Sequence, residues 1–149
     1  MSLEGNATTL HGSCHCGSLR VEFSTRLDPA AIGPRACDCS FCRKHGAAYV
    51  SDPDGRLRIA VSEAAALLSY RQGSGAARFQ LCARCGVLVA VTHEHDRRLF
   101  GAVNAGCLDD PVALGAPGTA SPQLLGPEEK VGRWLQLWVP DTELLISGT

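Results

Sequence analysis

The stretch HGSCHCGSLRVEF, residues 11–23, joins a C-x-C pair to a glycine and then to an alternating apolar and polar run. FQLCARCGVLVAV, residues 79–91, repeats that plan with a C-x-x-C pair, a glycine and a β-branched run. Each reads as a tight cysteine turn feeding a β-strand. In a zinc knuckle the backbone N–H groups of such a turn point at the thiolate sulfurs. A glycine just past the last ligand lets the chain adopt a positive φ there. Two knuckles supply four thiolates, Cys14, Cys16, Cys82 and Cys85, enough for a closed tetrahedral set that clasps two distant strands. Four thiolates leave no coordination position open, so the expected role of this set is structural.

Outward from these turns the chain keeps an extended pattern. LRIAV (57–61) and WLQLWV (134–139) read as further strands. Only VSEAAALLSY (61–70) looks helical, for a turn or two before LLSYRQ resumes an extended pattern. The expected class is mostly β, with short helical turns. Residues 110–127, rich in Gly and Pro, read as a long loop, because too little chain follows them to form a second domain. The 149 residues fit a flexible N-terminus over 1–10 and one domain over 11–149. A chain of that size buries about 70% of the surface its unfolded form exposes, so it needs no disulfide staples.

Composition narrows the function. The net charge is −1, aromatic residues are 5% of the chain, and basic residues are not interleaved with aromatics, which argues against nucleic acid as a partner. No stretch approaches the roughly 20 apolar residues of a membrane span, and the N-terminus lacks the basic and apolar regions of a signal peptide. The expected location is cytoplasmic. An even count of eight cysteines raises the possibility of a disulfide framework. Seven of the eight, however, fall into three tight clusters, and neighbours one or two residues apart converge on a common point, as zinc requires at about 2.3 Å per sulfur. With no secretion signal, metal binding is the better reading.

The middle cluster, CDCSFCRKHGA over 37–47, brings Cys37, Cys39 and Cys42 together with no second knuckle to pair with. Three protein ligands plus an open position is the pattern of a catalytic zinc. A fourth ligand, His45 or Cys107, would close the site instead. Without that role, Cys107 reads as a small buried hydrophobe and His45 as a solvated side chain or hydrogen-bond partner. VTHEH puts His93 and His95 on one face of a strand, where a solvent-facing pair is expected.

GSCHCGSLRVEF, CDCSFCRKHGA, LCARCG and VNAGCLDDP, in this order, resemble the glutathione-dependent formaldehyde-activating enzyme family, which also includes centromere protein V. The resemblance covers about residues 11–110. It implies a small zinc-containing antiparallel β-sheet fold with two zinc ions. Cys14, Cys16, Cys82 and Cys85 would hold the structural ion and Cys37, Cys39 and Cys42 the catalytic one. The implied activity is a carbon–sulfur lyase reaction, the condensation of formaldehyde with glutathione or another small thiol, with a zinc-bound substrate thiolate as nucleophile. Glutathione carries two carboxylates, and 12 of the 14 basic residues are Arg, which holds a carboxylate bidentately. Arg43 is the first expectation for that contact and Arg35 the second. The alternative is a non-catalytic zinc-binding module for protein or nucleic-acid interaction, favoured if the second site is closed by a fourth side chain.

Overall fold

Alternating apolar residues pair the first strands. β1 (Thr8–Ser13) runs antiparallel to β2 (Leu19–Thr25), with Leu10 opposite Phe23. β2 then pairs antiparallel with β5 (Arg56–Val61), and β11 (Thr142–Ile146) closes this four-stranded sheet by lying parallel to β5. The computed structural model behind this description covers residues 7–72, 75–109, 114–120 and 124–147. The strand β1 begins at Thr8, inside the stretch expected to be a loose N-terminus.

The second sheet has seven strands in the order β10-β3-β4-β9-β8-β7-β6. They are β3 (Arg35–Cys37), β4 (Ala48–Val50), β6 (Leu67–Tyr70), β7 (Arg78–Cys82), β8 (Leu88–His95), β9 (Arg98–Asn104) and β10 (Gly118–Ala120). Its pairs are antiparallel except β10 on β3. The two sheets face each other over a core of Leu19, Val21, Phe23, Leu57, Ile59, Val50, Val89 and Val103, all at most 1% exposed. Burying each such side chain contributes about 1.5–3 kcal/mol relative to leaving it in water, which makes this sandwich the main source of stability.

The far face of the larger sheet is covered as well, by α1 (Ser40–His45) and α2 (Pro127–Leu137) over a second core that includes Cys42, Tyr49, Phe79, Val91 and Trp138. Because the sheet is buried on both faces, β8 reads as a continuous apolar run: Leu88 and Val91 serve the outer core, Val89 and Ala90 the inner one. A register shift between Gln80 and Leu81 in β7 accommodates that order.

Two sequence readings change. WLQLWV is not a strand: residues 134–137 are the end of α2, and only Val139 makes a β-bridge, to Gly101. The helix begins with Pro127 in its first turn, Glu128 and Glu129 beside it, and the Gly126 N–H donating to Glu129 Oε1 at 3.4 Å. A six-residue run with Gln136 as its one polar residue mimics a buried strand, but Lys130, Arg133, Trp134 and Leu137 recur at the spacing that shares one helix face. In the loop expected over 110–127, residues 118–120 form β10, and residues 110–113 and 121–123 lie outside the described residues. The helical turn Ala64–Ala66 followed by β6 matches the expectation for residues 61–70. No helix among the described residues is long and apolar enough to cross a membrane.

Candidate functional site

The first and third cysteine clusters meet where the two sheets join. Cys14 follows β1, and its sulfur accepts the Leu19 N–H at 3.3 Å. Cys82 ends β7, and its sulfur accepts the N–H groups of Arg84 and Cys85 at 3.3 and 3.4 Å. Both turns close through a glycine of positive φ, Gly17 at 83° and Gly86 at 81°, a conformation that costs any other L-residue about 1–2 kcal/mol. The Ala83 N–H bonded to Ala66 O at 2.8 Å and the Arg84–Glu63 ion pair fix the second turn in place.

The ligand sulfurs of Cys14, Cys16, Cys82 and Cys85 all lie within 4.8 Å of one another. Cys16 Sγ is 3.8 Å from Cys14 Sγ and 3.6 Å from Cys82 Sγ. Zinc–sulfur arms of about 2.3 Å give a tetrahedron with edges of about 3.8 Å, so the four sulfurs are already spaced to hold such an ion. All eight cysteines are free thiols.

The middle cluster lies on the far face of the larger sheet. Cys37 ends β3, Cys39 caps α1 by accepting the Cys42 N–H at 3.4 Å, and Cys42 is one turn into that helix and 1% exposed. Phe41, between them, wedges α1 against the sheet through Phe79 and Tyr70, at ring distances of 4.5 and 5.1 Å. The three sulfurs lie within 4.8 Å of one another, and neither His45 nor Cys107 belongs to the group. His45 is exposed with its ring against Phe41 at 4.6 Å. Cys107 is buried and directs its thiol to Val89 O at 3.6 Å; burial pushes its pKa up to about 12.

Two neutral side chains address these sulfurs. Tyr49 Oη lies 3.2 Å from Cys42 Sγ, and the Gln72 amide lies 3.8 Å from Cys39 Sγ. Burial and the neighbouring thiols raise the Tyr49 pKa well above the usual phenol value, so it stays a hydrogen-bond donor. The Cys42 thiol, bonding to Cys37, holds the latter down at about 6, helped by the Cys39 N–H; that same bond and burial push Cys42 up.

The cluster opens onto a cavity of about 420 Å³. Tyr49, Ala77, Phe79 and Val91 form its sheet side, and α2 brings Lys130, Arg133, Trp134 and Leu137, with Trp138 just beyond. Asp38 and Arg35 also line it. Arg35 donates from Nη2 to Ser51 Oγ at 2.7 Å, and Ser51 donates in turn to Leu137 O at 2.6 Å, which ties β3 to the end of α2. Burial, then the nearby Arg133, lowers the Arg35 pKa. Among the described residues no ion pair involves Arg35, Lys130 or Arg133. Arg43 is exposed on α1 and does not line the cavity.

His93 differs from the solvent-facing side chain expected of it: its Nδ1 bonds Ala76 O at 2.8 Å and its ring lies 5.4 Å from Trp134, while its partner His95 is less enclosed. Sequence reasoning missed Tyr49, Gln72, Lys130, Arg133 and both tryptophans. The GPEE start of α2 carried the one local signal that would have found the helix residues.

A crystal structure of a Rhodobacter sphaeroides protein is similar, at 30% identity and a TM-score of 0.57, covering 74% of this chain and 99% of that one. The sequence pattern described as glutathione-dependent formaldehyde-activating enzyme matches residues 9–123, which include all three cysteine clusters and Arg35. With that match over most of its length, the chain belongs to the glutathione-dependent formaldehyde-activating enzyme family.

Proposed function

We propose that the chain is a zinc-dependent carbon–sulfur lyase that joins a small aldehyde to glutathione or a similar thiol and runs the reverse cleavage. The observation that carries this reading is the three-cysteine group, with no fourth side-chain ligand among the described residues, opening onto a cavity that Arg35, Lys130 and Arg133 also line. Two zinc ions are proposed, one on Cys14, Cys16, Cys82 and Cys85 and one on Cys37, Cys39 and Cys42. When bound to the second set, zinc would lower the pKa of an incoming thiol and make the nucleophile available at neutral pH.

The chain's own residues do the rest. Tyr49 donates to Cys42 and Gln72 to Cys39, drawing charge from those sulfurs and fixing their orientation. Arg35, held by Ser51, offers its free guanidinium edge to a carboxylate of the thiol, with Lys130 and Arg133 beside it. Arg43, exposed on α1, has no such part in this reading. In the reaction the thiol loses its proton, the sulfur bonds to the aldehyde carbon, and the C=O electron pair moves to oxygen, which takes up a proton. The aromatic walls exclude water from the forming bond.

The test is formaldehyde–glutathione exchange followed by NMR with the zinc-loaded protein. Exchange should exceed the protein-free rate and fall to it in Cys39→Ser. No acceleration by protein carrying metal at both clusters would reject the lyase reading.

A further inference from the structure

Under the lyase reading, the sulfur end and the cationic end of the cavity each bind part of the thiol, and the wall between them has only to keep water out. Phe79 and Val91, direct partners across β7 and β8, form one side of it. Trp134 and Trp138 of the α2 region form the other, stacked at 4.8 Å with planes 14° from parallel. His93 backs Trp134 at 5.4 Å, so the wall is braced from behind. Formaldehyde adds one carbon and one oxygen to a sulfur, a group the size of two water molecules, or about 60 Å³. It covers little of a cavity of about 420 Å³. A peptide thiol held by its carboxylates at the cationic end would leave this wall to another group, since its amide groups would lose water there without gaining hydrogen-bond partners.

Part of the wall also lies outside the residues that the family pattern matches. The family pattern ends at residue 123, whereas α2 spans Pro127–Leu137. The ligand clusters, Arg35 and Phe79 thus fall within the matched residues, and the Trp134–Trp138 side of the cavity comes from chain beyond them. A segment outside the matched residues that lines the cavity is where a change of substrate would be written.

We propose that the carbonyl partner of this chain is an aldehyde bearing an alkyl or aryl group, which lies against the Trp134–Trp138 stack. The proposal rests on the lyase reading. The step is the same addition: the sulfur–carbon bond forms, the C=O pair goes to oxygen, one proton leaves the thiol and one arrives at the alkoxide, and no oxidant or reductant is needed.

The experiment uses the zinc-loaded protein with glutathione and a series from formaldehyde through acetaldehyde, butanal and hexanal, with benzaldehyde added. For each aldehyde, the catalysed kcat/KM is divided by the uncatalysed rate constant, both from NMR exchange. The ratio should rise by up to about fourfold per methylene until the wall is covered, the factor that corresponds to about 0.8 kcal/mol per buried CH₂. Trp134→Ala should flatten the series, and Trp134→Leu, which keeps an apolar helix face, should give an intermediate slope if the alanine variant is poorly folded. A flat or falling series with formaldehyde still accelerated overturns this proposal and leaves the lyase reading standing. An unchanged slope in both Trp134 variants overturns the assignment of the wall. Failure to accelerate any aldehyde overturns the lyase reading and this proposal with it.

Discussion

Replacing Tyr49 by Phe removes one oxygen and keeps the ring. That oxygen lies 3.2 Å from Cys42 Sγ, between side chains only 7% and 1% exposed, so a water standing in for it would have to come from the cavity side. A hydrogen bond to a charged partner in such surroundings contributes about 1.5–3 kcal/mol. At about 1.4 kcal/mol per tenfold, metal affinity at the three-cysteine group should fall about 10- to 100-fold in Tyr49→Phe. The Cys14–Cys85 group, on the other side of the larger sheet, should keep its affinity. The ring still fills its place beside Phe79 and Trp138 in the outer core, so the melting temperature of the variant should stay close to wild type. Competition with a chromophoric chelator resolves two release steps, and cobalt substitution reports the sulfur-to-metal charge-transfer band of each group. If both steps occur at the wild-type chelator concentration, Tyr49 does not act on the ligand. If the variant instead melts as early as one lacking the whole cluster, its role is packing.

Cys82→Ser should leave much of the chain unfolded, because it opens the group that clasps the two sheets, whereas Cys39→Ser should stay folded and lose one metal; equal melting losses would mean that both groups are structural. In metal-free protein Cys37 should be alkylated as a thiolate, because its pKa lies at about 6 instead of the ordinary 9.0. A depressed thiol pKa populates the reactive form above that value, so the rate read by peptide mass spectrometry should rise through pH 6 and level off by about pH 7.5. An inflection near 9 would contradict the hydrogen bonding described for Cys37. Arg35→Met should raise KM for glutathione about 10- to 100-fold with a smaller change in kcat, and leave KM for a carboxylate-free thiol nearly unchanged. Equal losses for both thiols would remove Arg35 from the carboxylate contact.

The cysteine turns were legible because their chemistry is local: a ligand pair, a glycine of positive φ and a strand all fit within a dozen residues, and Gly17 and Gly86 take the expected conformation. The buried strand β8 was legible for the same reason, as a run too apolar to face water. The wall of the cavity was not. WLQLWV is apolar at five of six residues and so imitates a buried strand, while the evidence for a helix starts seven residues earlier at Pro127. Adjacency to Cys42 in sequence does not bring Arg43 to the cavity: it is exposed on α1, and the cations that line the cavity come from β3 and from a helix some ninety residues on. Tyr49 and Gln72 carry no motif, since only the pairing of strands and the course of the loop after β6 bring them to the sulfurs.

The chain has two tryptophans, Trp134 and Trp138, and both line the cavity as one stack. Light absorbed selectively by indole is therefore absorbed at the candidate site and nowhere else in the molecule. Emission becomes an unlabelled optical gauge of what enters the cavity: a thiol or aldehyde should change its intensity, and displacement of water from the rings should shift it to the blue. The four-stranded sheet carries no indole, so its melting is silent in this signal until α2 detaches. Comparing emission with far-ultraviolet dichroism during unfolding would then time the opening of the site against the loss of the sandwich.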